Sequence, residues 1–193
     1  GHPDLSANIW TNPHELPGNM EDEDANGYVD DTHGWDFVNN DNNPEDYSRD
    51  RYGDGHGTHV AAIIAAAGDN ALGITGVMWE AQVMPLQIFD LFEDGLFNAT
   101  SDNIVQAVIY AVDNGAAIIN CSFGGTSFSR FQYDAFSYAD EKGVLVIAAA
   151  GNDSADNDIT PTYPAGYDLT NIISVAATDE DDVLARYSNY GKE

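Results

Sequence analysis

The run VLVIAAA at Val144–Ala150 constrains this chain more than any other segment. Seven consecutive apolar residues are too few for a buried helix and read as a strand covered on both faces, the kind found in parallel sheets. A parallel sheet needs crossover connections, and the flanking sequence supplies them. A helix is expected over about Phe131–Lys142, stopped by Gly143, and ahead of it AIINCS reads as a second strand. Thr100 or Ser101 can cap a helix that runs through IVQAVIYAVDN and stops at Gly115. A small-residue helix from Gly57 to about Ala67, strand-like runs at Gln82–Phe89 and Ile172–Thr178, and a short strand GWDFV at Gly34–Val38 complete the pattern. The class is α/β, with a mostly parallel central sheet and helices on both faces. Functional loops then belong at the carboxyl ends of the strands, where SFGG follows Cys121 and GND follows Ala150.

Composition fixes the remaining bounds. With 43% apolar and 11% aromatic residues, the 193 residues can bury a core. They read as one domain, an acidic loop-rich region over about 1–55 joined to a parallel α/β core over about 56–193. Thirty-three acidic side chains against six basic ones give a formal charge of −27, a field that repels nucleic acid and anionic membranes and attracts cations. No apolar run approaches the ~18 to 20 residues that a membrane crossing needs, and GHPDL shows no signal-peptide pattern. The single cysteine, Cys121, has no internal disulfide partner and suits a small buried apolar position.

GDGHGTHVA at Gly53–Ala61 places His56 at the start of a helix built from small residues. Burial and the positive end of a helix both disfavour protonation of an imidazole, which leaves it available as a general base. A histidine that only caps the helix is the plainer reading. A metal role for His56 and His59 has little support, since His2, His14 and His33 lack ligand spacing. DEDANGYVDD at Asp22–Asp31 fits the opening of a calcium loop, offering Asp22, Asp24 and Asn26, with Asp30 or Asp31 further on. It departs where the twelfth position is His33 rather than Glu; the alternative is an acidic turn.

Four ordered segments together resemble the subtilase family of serine endopeptidases. HGTHVA is similar to its histidine motif, IINCSFGG at Ile118–Gly125 to the segment lining the substrate cleft, and AAAGN at Ala148–Asn152 to the segment with the oxyanion asparagine. YPAGY at Tyr163–Tyr167 is similar to a substrate-pocket turn with a cis peptide before Pro164. The resemblance implies a three-layer subtilisin-like fold, incomplete at both ends. It also implies that His56 is the general base and that Asn152 donates its amide to the oxyanion. Ser122, Phe123 and Gly124 would pair with an extended peptide, and Gly125, Ala150 and Gly151 would border a pocket for large apolar side chains.

The family's aspartate lies in a DTG or DSG motif and its serine in GTSMAxP, and neither motif occurs among these residues. GTSF at Gly125–Phe128 mimics the serine motif but precedes Asn152, so Ser127 reads as a decoy, and Asp54 as a loop residue. The 193 residues alone are expected to hydrolyse no peptide.

The resemblance extends to structural Ca2+. Asp36, Asp41, Asn43 and Glu45 resemble a calcium loop of thermostable subtilases. Asp4 with Asn70 and the carbonyls of Gly68, Leu72 and Ile74 resembles the family's tight site. The implied protein is a secreted monomer acting on peptide or unfolded protein, with a propeptide as a further partner. A non-catalytic peptide-binding subtilase-like module and an acidic calcium-binding domain stay open as alternatives.

Overall fold

The computed structural model describes residues 2–46, 55–91 and 97–192, with the backbone alone at Asp90, Leu91 and Phe97. Gly53 and Asp54 lie outside the described residues. Two compact units, residues 1–103 and 104–193, are each described on their own.

In the first unit, β1 (Trp35–Asp36) pairs in parallel with β2 (Leu86–Gln87). Helix α1 (His56–Ala65) has apolar residues on nearly every position after His59. Leu5, Ala62 and Ala66 form a small buried cluster, with Ile9 and Ala61 against it. The last carbonyls of a helix lack partners within it, and here they find them elsewhere. Val77 and Met78 donate backbone amides to Ile63 and Ile64, and Asn8 Nδ2 donates to the Ala65 carbonyl at 2.8 Å.

The expected strand at Gln82–Phe89 is broken up. Val83 makes an isolated parallel bridge to Ile9, β2 takes Leu86–Gln87, and β3 (Phe89–Leu91) turns into an antiparallel pair with β4 (Phe97–Ala99). This pair was not expected, because three-residue strands show no periodicity to read.

Around the acidic loops, burial is largely polar. Asn8, Asn12, Glu15, Asp30, Asp31 and Asp36 are buried, beside only Leu5, Trp35 and Phe37 among the apolar residues of positions 2–46. Carboxylates serve as local scaffolds here. Asp30 accepts backbone amides from Gly18, Asn19 and Met20, and Asp36 accepts from Val38, Asn39 and the Asn39 side chain.

The second unit is a βαβ arrangement. Helix α2 (Ser101–Asp113) begins in the first unit and is capped as expected, with Thr100 Oγ1 accepting from Asn103 N at 3.1 Å. Strand β5 (Ile118–Cys121) leads into α3 (Arg130–Glu141), which Ser129 caps, and then into β6 (Leu145–Ala149). A parallel three-stranded sheet runs in the order β5, β6, β7 (Ile172–Val175). The expectation that Val144–Ala150 is buried on both faces needs correction. Val146 and Ala148 are fully buried, while Leu145, Ile147 and Ala149 on the opposite face are only partly covered. No helix among the described residues is long and apolar enough to cross a membrane.

Candidate active site and cation cluster

His56 is the first residue of α1, behind Gly55 in a left-handed conformation at φ 51°. Its side chain is exposed, contrary to the burial expected at sequence level. The helix start is held by Asp46, whose Oδ2 accepts Thr58 N at 2.9 Å, so a carboxylate sits on the positive end of the helix.

In the second unit, the pairing of Cys121 with Ala148 sets the carboxyl ends of β5 and β6 side by side. The loops that leave them, Ser122–Gly125 and Ala150–Asp153, therefore start from one edge. Tyr163, which precedes Pro164 through a cis peptide bond, joins this group by an antiparallel bridge. Gly125 N donates to the Tyr163 carbonyl at 3.0 Å and Tyr163 N to the Gly125 carbonyl at 2.8 Å. A Cβ at Gly124 would lie 2.7 Å from Thr162 Cγ2, so any larger residue there must displace the Thr162 side chain. A Cβ at Gly125 would meet nothing within 4 Å, which leaves open space beside the loop. Ser122 and Phe123 are half-buried, Ala150 and Pro164 buried, and Asn152 and Ser127 exposed. Phe128, Tyr163 and Tyr167 pack beside this loop with ring centroids 4.7 to 5.6 Å apart, Phe128 edge-on to both tyrosines. Burial pushes the Tyr167 phenol above its ordinary range.

One residue here had no signal in the sequence. Asn189, 1% exposed, donates from Nδ2 to Asn157 Oδ1 at 3.1 Å and to Thr162 Oγ1 at 3.2 Å. Its Oδ1 accepts Asp153 N at 2.8 Å and Ala155 N at 3.1 Å. Gly151, at φ 114°, packs so closely on it that an added Cβ would overlap the Asn189 amide. A buried long-range polar contact has no period along the chain, so spacing could not reveal it.

Among the described residues, Glu15, Asp22 and Asp24 present carboxylate oxygens within 4.8 Å of one another. Two oxygens on one Ca2+ at ~2.4 Å can be no further apart than about 5 Å, so the set fits a single cation. Glu15 is buried at 6% exposure, and its Oε2 has no hydrogen-bond partner although Oε1 accepts Glu23 N at 3.0 Å. Burial raises the Glu15 carboxyl above its ordinary value, against backbone hydrogen bonds that lower it. A buried, unpartnered oxygen beside two further carboxylates is costly unless a cation meets it.

Of the other residues read from the calcium loop, Asn26 directs Nδ2 at Asp24 and Asp31. The structure holds Asp30 on the 18–20 turn instead of with Asp22 and Asp24. Glu15, seven residues upstream of Asp22, was not singled out from sequence. In the second loop, Asp36 and Asp41 pair by backbone, Asp41 Oδ1 accepts Asn43 N, and Glu45 N donates to the Asn43 carbonyl. In the third, buried Asp4 accepts Asn70 Nδ2 at 2.7 Å and Ile74 N at 3.1 Å. Asn70 Oδ1 in turn accepts Leu72 N, and the Asp4 carbonyl accepts Ala67 N just before Gly68.

Residues 1–193 match the sequence profile of the subtilase family, Peptidase S8. Thermitase of Thermoactinomyces vulgaris is 40% identical over 158 residues, covering 82% of this chain and 51% of thermitase. Subtilisin-like protease 1 of Plasmodium falciparum is 34% identical over 203 residues, covering 97% of this chain and 28% of that protein. The chain thus spans about half the length of thermitase and less of the Plasmodium relative. Among solved structures, the S218A mutant of the PatA protease domain superposes with a TM-score of 0.61 at 29% identity, over 71% of this chain and 48% of that one. The fold is thus the α/β subtilisin-like one, carried among the described residues by parallel strand pairs and three α-helices. With the family profile matched over residues 1–193 and relatives such as thermitase 40% identical over 82% of the chain, the chain belongs to the subtilase family.

Proposed function

We propose that the complete protein is a serine endopeptidase with an aspartate–histidine–serine triad, in which His56 is the general base and Asn152 the oxyanion donor. The observation that carries this reading is the Gly125–Tyr163 bridge, which sets the SFGG loop against the turn before Pro164 at the β5–β6 edge from which Asn152 also leaves. His56 takes the proton of the serine as it attacks the scissile carbonyl and returns it to the leaving amine. Asn152 donates to the oxygen whose charge appears only in the tetrahedral intermediate. Ser122, Phe123 and Gly124 hold an extended peptide by backbone pairing, and the open space at Gly125 receives an apolar side chain.

Structural Ca2+ is part of the proposal. Glu15, Asp22 and Asp24 hold one ion, and Asp4 with Asn70 and the carbonyls of Gly68, Leu72 and Ile74 holds another. The ions offset like-charge repulsion in so acidic a chain. Secretion, a monomeric state and unfolded protein as substrate complete the reading.

The test is hydrolysis of a chromogenic peptide by the complete open reading frame, together with labelling by a fluorophosphonate. Wild type should do both, and His56→Ala should lose at least about 10⁴-fold in kcat. The 193 residues alone should do neither. A complete protein that neither labels nor hydrolyses would reduce the reading to a peptide-binding module.

A further inference from the structure

We propose that Asn189 is a positioning residue for the oxyanion hole, resting on the reading of Asn152 as its side-chain donor. Two peptide groups flank Asn152, and Asn189 grips both. Its backbone N–H donates to the Gly151 carbonyl at 2.9 Å, and its Oδ1 accepts Asp153 N at 2.8 Å. The φ and ψ angles of Asn152 lie between these two groups, so fixing both peptide planes fixes the direction in which its side chain leaves the backbone.

The grip is itself rigid. Asn189 is buried, and all four hydrogen-bonding positions of its amide are used: Asp153 N and Ala155 N on Oδ1, Asn157 Oδ1 and Thr162 Oγ1 on Nδ2. Asn157 continues the chain of contacts by donating to the Ala150 carbonyl at 2.9 Å, at the point where β6 ends. Thr162 carries it to the neighbour of Tyr163, in the bridge that borders the cleft. Asn152 itself is exposed, so packing does not hold it and backbone geometry must. An oxyanion donor works only where it is already aimed at the developing charge, and a small displacement forfeits much of its effect.

Asn189→Ala removes the side-chain grip and keeps the backbone bond to Gly151. In the complete protease, with a chromogenic peptide, kcat should fall by about 10- to 100-fold while KM stays within about threefold. Asn171→Ala removes a buried bond to the Val144 carbonyl, at the opposite end of β6 from Asn152, and should keep kcat within about threefold despite a lower melting temperature. The deciding readout is the double-mutant cycle with Asn152→Ala. If Asn189 acts through Asn152, adding Asn189→Ala to Asn152→Ala should cost no more than about threefold further. If Asn189→Ala does not fold, Asn189→Ser is read in the same cycle. An unchanged kcat, or an equal loss in both backgrounds, overturns the proposal while leaving the peptidase reading intact. A folded wild type without peptidase activity removes that reading and the proposal with it, which is a different and recognisable result.

Discussion

Asp4 and Asn70 stand 66 positions apart in sequence and are joined by a 2.7 Å hydrogen bond from Asn70 Nδ2 to Asp4 Oδ1. The other Asp4 oxygen accepts Ile74 N, so one buried carboxylate fastens both ends of the 70–74 loop. Asp4→Ala strands these donors, and we expect a loss of about 2 to 4 kcal/mol in urea unfolding with an unchanged m-value. A loss under ~0.5 kcal/mol would show that the carboxylate does not hold the loop.

The Glu15 cluster should reverse the sign of a mutation. In chelator, Glu15 lies among like charges, so Glu15→Gln should raise the thermal midpoint or leave it unchanged. In millimolar Ca2+ the same substitution removes a ligand and should lower the midpoint relative to wild type. Thermal scans of wild type and variant in both conditions check this, and a wild-type midpoint indifferent to Ca2+ would count against the site.

Cys121 is 1% exposed, and burial pushes its thiol up to about 12. At pH 8 its thiolate fraction is on the order of 10⁻⁴, and it should not react with a thiol reagent in the native state. Labelling should appear only with urea, along the unfolding curve. The neutral thiol is the form the fold favours, so this contribution is complete below the ordinary value of 9.0 and is lost as pH rises toward 12. Rapid labelling of the folded protein at pH 8 would contradict the burial.

Gly151→Ala should be among the most damaging single methyl additions in the second unit. Position 151 is at φ 114°, where L side chains are strained, and the new Cβ would overlap the Asn189 amide. The expected cost is at least about 2 kcal/mol in chemical unfolding. Gly143→Ala is a useful comparison: it shares the positive φ but meets nothing within 4 Å, so it isolates backbone strain from overlap.

The elements that sequence revealed are those with a local signature. Thr100 accepts an amide three residues on, which is why α2 could be started near the correct position, whereas α3 was legible mainly from its stop at Gly143, and its Ser129 cap emerged only in the structure. The strand VLVIAAA was found because its apolar run is continuous, although its two faces turned out unequal. The short β3–β4 pair lacked any such run. Motif order pointed to the segments bearing His56 and Asn152, but their supports came from far along the chain. Asp46 on the α1 start, Glu15 beside Asp22, and Asn189 around Asn152 are polar contacts set by tertiary structure.

The contact between Gly151 and Asn189 also limits how such a chain can change over generations. A side chain can enter at 151 only if 189 is first shortened, and a shortened 189 releases Asp153 and Ala155. Each single step is worse than its starting point, so the pair should be inherited together, and a substitution at one position should be found only where the other has already moved.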